Sequence, residues 1–73
     1  MKNDIYSNKH EFLVKQLRKA RNLAGLDQKD VAKLLGKTQS YISKLESGQR
    51  RIDVVQLQEF AKIYKKSLNF FIK

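Results

Sequence analysis

The segment from Lys37 to Arg51, KTQSYISKLESGQRR, sets side chains that exchange hydrogen bonds among side chains that carry positive charge. On a helix turning about 100° per residue, Gln39, Ser40, Ser43, Lys44 and Ser47 share one arc, Tyr41, Ile42 and Leu45 take the other, and Glu46 falls at the border. An arc of this kind forms hydrogen bonds without repelling phosphate. In a major groove, Gln can donate and accept toward adenine, Ser can meet several bases, and Lys can reach guanine. An ordinary solvated face is the plainer alternative, although such faces usually carry Glu and Lys, which favour helix and water together. Lys37, Arg50 and Arg51, just outside the arc, are of the type that meets phosphate.

The charge balance points the same way. Sixteen Lys and Arg against seven Asp and Glu give a net charge of +9 on 73 residues, which favours polyanionic partners. Charge alone would equally serve solubility, so position has to decide. Catalysis finds little support, because His10 is the only histidine, cysteine is absent, and the acids lack paired spacing. The same shortage of ligands speaks against a metal site, and no cofactor is expected. Tyr6, Phe70 and Phe71 form no row of stacking platforms for single-stranded RNA. The N-terminal stretch MKNDIYSNKHEF has no apolar centre of the secretory kind, and no run reaches the length of a membrane span. A cytoplasmic setting and one compact domain, with no second effector-binding domain, are the resulting expectations.

Stepping from these residues to the elements that hold them, Gly25, Gly36 and Gly48 each follow an apolar run of helical spacing, where a left-handed residue commonly stops a helix. Asp27, Thr38, Asp53 and Ser67 are placed to accept from free amides at helix starts. Leu26 with Val31, and Ile52 with Leu57, bracket two of those caps in staple spacing. The pattern predicts an all-α chain of five helices, over residues 9–24, 28–35, 39–47, 54–65 and 68–71. Residues 1–8 read as a flexible arm, leaving 9–73 as the domain. Core positions expected from periodicity are Leu13, Leu17, Ala20 and Ala24 in the first helix and Val54, Leu57, Ala61 and Tyr64 in the fourth. Val31, Leu34, Leu35, Ile42 and Leu45 join them from the middle helices, and Leu68, Phe71 and Ile72 from the tail.

Two short helices joined by a tight turn at Gly36, with small Ala32 at their crossing and Ile42 and Leu45 pointing back, make a helix-turn-helix pattern. The stretch LRKAR...GLDQKDVAKLLGKTQSYISKLESGQRR resembles the Cro/cI-type family, also called lambda-repressor-like or XRE, over roughly residues 13–71. Asp27 stands where that family usually has a Thr or Ser cap, and Val31 where it usually has Leu. The resemblance implies a compact five-helix DNA-binding domain whose second motif helix reads bases through Thr38, Gln39, Ser40, Ser43 and Lys44. It further implies that Gln28 touches a phosphate and braces Gln39, and that Arg21 pairs with Glu46. Arg50 and Arg51 lead into a helix whose free amides attract phosphate. Tyr41 either covers the core or reaches phosphate through its hydroxyl.

The function expected on these grounds is a transcriptional regulator, a repressor by preference, of bacterial or phage origin. It would bind double-stranded DNA at a palindromic operator as a homodimer. The tail SLNFFIK carries more apolar residues than one short helix buries, which marks Phe70 and Ile72 as a dimer surface. The alternative is an antitoxin or controller protein acting partly through a protein partner, either a toxin or another regulator.

Overall fold

The computed structural model describes residues 8–73. It contains four α-helices, α1 Asn8–Leu23, α2 Gln28–Leu35, α3 Gln39–Glu46 and α4 Val54–Tyr64, with no strand among the described residues. The arm expected over residues 1–8 lies outside the described residues, apart from Asn8, which opens α1.

Local chemistry sets the helix starts. The Asp27 carboxylate accepts from the Asp30 amide at 2.8 Å while the Asp30 side chain accepts from the Asp27 amide at 3.1 Å, a reciprocal box at the start of α2. The Thr38 hydroxyl caps α3 through the Tyr41 amide at 3.1 Å, and Asp53 caps α4 through the Gln56 amide at 2.8 Å. α2 stops at Gly36, whose φ of 67° is left-handed and strain-free only without a Cβ. There the Lys37 amide donates to the Ala32 carbonyl at 2.8 Å and the Gly36 amide to Lys33 at 3.2 Å, closing the turn within three residues. α4 ends instead on Lys65, left-handed at φ 58°.

The fifth helix requires a correction. Leu68–Phe71 is a 3-10 helix, its turns closed by Phe70 amide to Ser67 carbonyl at 3.1 Å and Ile72 amide to Asn69 carbonyl at 3.3 Å. Four residues form too few α-type bonds, so the tighter i to i+3 pattern holds the segment. Ser67 stands at its start but makes no capping bond through its side chain.

α1 packs against α3, α4 and the 3-10 helix, while α2 crosses α3. The core joins Val14, Leu17 and Ala20 of α1 to Val31 and Ala32 of α2 and to Ile42 and Leu45 of α3, closed by α4 and Phe71. Several expected core positions lie elsewhere. The inward face of α1 runs through Val14, Leu17 and Ala20 with Leu13 half-buried against the core as expected, while Ala24, beyond the helix end, is exposed. Leu34 is 61 % exposed because Val31, Ala32 and Leu35 already define the inward side of α2. Val54 is also exposed at the first position of α4, whose buried residues are Leu57, Phe60, Ala61 and Tyr64. Ile72 stays outside as well.

Candidate nucleic-acid interface

α3 is held by one buried carboxylate. Glu46, 4 % exposed, accepts from Arg21 Nε at 2.7 Å and Nη2 at 3.0 Å, a fork that links the last turn of α3 to α1. This hydrogen bond raises the Arg21 guanidinium above its already high pKa, outweighing the opposing effect of burial. Arg21 Nη1 also donates to the Leu26 carbonyl at 3.1 Å, tying the connection between α1 and α2 to the same fork. Arg18, one helical turn earlier, donates to the Glu46 carbonyl. Arg18 is one of the arginine pair in the LRKAR stretch that carries the family resemblance, without a role assigned to it there, and its i, i+3 spacing from Arg21 places both on one face of α1.

The carboxylate reaches outward too. Gln28 Nε2 donates to Glu46 Oε1 at 3.1 Å, and Gln39 Nε2 donates to Gln28 Oε1 at 3.4 Å. The direction of this relay follows from Glu46, because an ionised carboxylate only accepts. Gln28 must therefore turn its NH2 inward, which aims its carbonyl oxygen at Gln39 and draws one N–H from that amide. Gln39 keeps one N–H and its carbonyl oxygen for other partners. A donor beside an acceptor is the pair that matches N7 and the amino group of adenine.

Gln39 is exposed, as are Thr38, Ser40, Ser43 and Lys44, while Ile42 and Leu45 on the opposite side of α3 are 0 % and 1 % exposed. Thr38 also spends its hydroxyl oxygen on the helix cap. Lys37, Arg50 and Arg51 are exposed around the ends of α3. Two of them gather on Tyr41, with Lys37 Nζ 5.2 Å and Arg50 Cζ 4.8 Å from its ring centroid. The Tyr41 hydroxyl accepts from Gln56 Nε2 of α4, and the half-buried phenol has its pKa raised, mainly by burial. Its own O–H is still able to donate. Gln56 was not among the residues picked from sequence; its third position in α4 was the only signal. At the start of α4 the Asp53 cap takes one of the free amides, that of Gln56.

The tail places Phe70 half-buried and edge-on to Phe71, with centroids 5.2 Å apart. Lys66 lies 4.9 Å from the Phe70 ring, and Gln16 Nε2 donates to the Phe70 carbonyl at 2.8 Å. Ile72 is 57 % exposed. No helix among the described residues is long and apolar enough to cross a membrane.

Comparison with known proteins agrees with this geometry. At 36 % identity over 72 residues, 92 % of the chain aligns with 6 % of the glutamine-fructose-6-phosphate aminotransferase (isomerizing) of Methanocaldococcus jannaschii, so the likeness is to a short segment of that enzyme. A family model described as helix-turn-helix matches residues 17–71, which takes in the last part of α1, from residue 17 to 23, and the whole of α2, the turn, α3 and α4. The chain belongs to the Cro/cI-type, or XRE, family of helix-turn-helix DNA-binding regulators.

Proposed function

We propose that this protein is a repressor that reads a palindromic operator as a symmetric dimer, with α3 in the major groove. The observation that carries the reading is the relay from the buried Arg21–Glu46 fork through Gln28 to the exposed amide of Gln39. A surface glutamine kept only for solubility needs no such orientation, whereas a base-reading glutamine benefits because its amide is ordered before DNA arrives. Gln39 reads adenine, and Thr38, Ser40, Ser43 and Lys44 read neighbouring base edges. Gln28, Lys37, Tyr41, Arg50 and Arg51 fix the register on phosphates.

One α3 offers a short reading surface, and two-fold pairing doubles it. The paired helices would sit about 34 Å apart, one turn of DNA. Ile72, exposed at the end of the tail, supplies the apolar centre of the pairing surface, with the half-buried Phe70 at its edge. Selection of bound duplexes from a random DNA pool tests the reading. An inverted repeat with half-site centres about ten base pairs apart is the expected result. A bound pool without consensus would reduce α3 to a nonspecific cation carrier and overturn it.

A further inference from the structure

Away from α3, the ends of α1, α2 and α4 leave a second surface. Leu34 on α2 and Leu23 at the end of α1 are 61 % and 62 % exposed. Three shallow depressions meet at Leu34, two of them sharing Ile63 and two sharing Leu26. Leucine at such a site gains nothing in helix propensity over lysine or glutamate. A contiguous apolar patch with a polar rim is the usual mark of a docking surface.

The rim identifies the partner's chemistry. Lys33, Lys62, Lys65 and Lys66 border the depressions, opposed by Asp30 and Glu59, on a chain that carries +9 overall. A second copy docked face to face would bring together two rims that each carry four lysines against two acids. An apolar ridge flanked by carboxylates would meet both features at once. Leu23, Leu34 and Ile63 lie in α1, α2 and α4, outside α3 and the loop that carries Arg50 and Arg51. We propose that the surface around Leu34 docks an acidic amphipathic helix of another protein, its leucine-like stripe seated between α2 and α4 and its Asp and Glu residues against the lysine rim. The proposal goes beyond operator reading and does not depend on operator symmetry.

A random-sequence peptide library displayed against the full-length protein, with excess nonspecific duplex DNA to occupy the α3 face, tests this directly. The expected consensus has apolar residues three and four apart with Asp or Glu between them. Binding of a selected peptide should fall at least tenfold in Leu34→Ser and in Lys62→Glu, with the thermal midpoint unchanged in both because the side chains are exposed, and with DNA affinity unchanged in Leu34→Ser, which alters no charge. Three results would overturn it: no enriched peptide, acidic peptides indifferent to Leu34→Ser, or a wild-type dimer that Leu34→Ser converts to monomer. The last would assign the face to a second copy.

Discussion

Gln39 and Arg50 are both exposed, yet in the proposed reading they differ in what they can tell one sequence from another. Gln39 presents a donor and an acceptor whose order matters to a base edge, while Arg50 presents charge to any phosphate. Gln39→Ala should therefore cost roughly 1–3 kcal/mol of discrimination at one base pair per half-site and leave nonspecific binding nearly unchanged. Arg50→Ala should weaken every duplex together and flatten the dependence of affinity on salt. Titrations of operator and single-base variants at two salt concentrations separate the two. Equal, sequence-blind losses would argue against base reading by Gln39.

At the scale of elements, the Arg21–Glu46 fork fastens α3 to α1, and the stability of that joint is separable from DNA reading. Arg21→Leu strands a buried carboxylate and should destabilise the fold by about 3–5 kcal/mol, whereas Arg21→Leu with Glu46→Leu should recover most of that loss. Denaturant unfolding measures both. The double variant, having lost the acceptor that orients Gln28, should fold yet discriminate poorly at the Gln39 base pair. α2 offers a pH handle. Hydrogen bonding from the Asp30 amide holds the Asp27 carboxyl below its usual range. A lowered folded-state pKa contributes stability above the ordinary Asp value of about 3.9 and loses it as pH falls through the folded value. The thermal midpoint should thus drop below about pH 4, and Asp27→Asn, which still caps, should make that drop shallower. These element starts were legible in the sequence because capping is settled within four residues: Asp27, Thr38 and Asp53 all cap as expected. The direction of each apolar face was less legible. Val14 and Phe60 are buried without having been expected in the core, and Val54 and Leu34 face outward, because which side of a helix is buried depends on how its neighbours cross it. In the site, the exposed set on α3 follows from its period, while the contact of Arg18 and the part of Gln56 emerge only once α1 and α4 are seen against α3.

For the whole molecule, the reading predicts a dimer in solution at micromolar concentration. Sedimentation should show it, and Ile72→Glu should shift it to monomer with the fold intact, because Ile72 lies outside the core. A monomer both free and on DNA would end the symmetric model. The division of labour on α3 has one more consequence. Its buried residues, Ile42, Leu45 and Glu46, secure the fold, while Ser40, Ser43 and Lys44 are exposed and carry none of that packing. A duplicated gene can therefore exchange these three codons without passing through an unstable ancestor and, with α3 reading bases as proposed, acquire a new target. Drift in what the protein recognises is thereby uncoupled from drift in whether it survives.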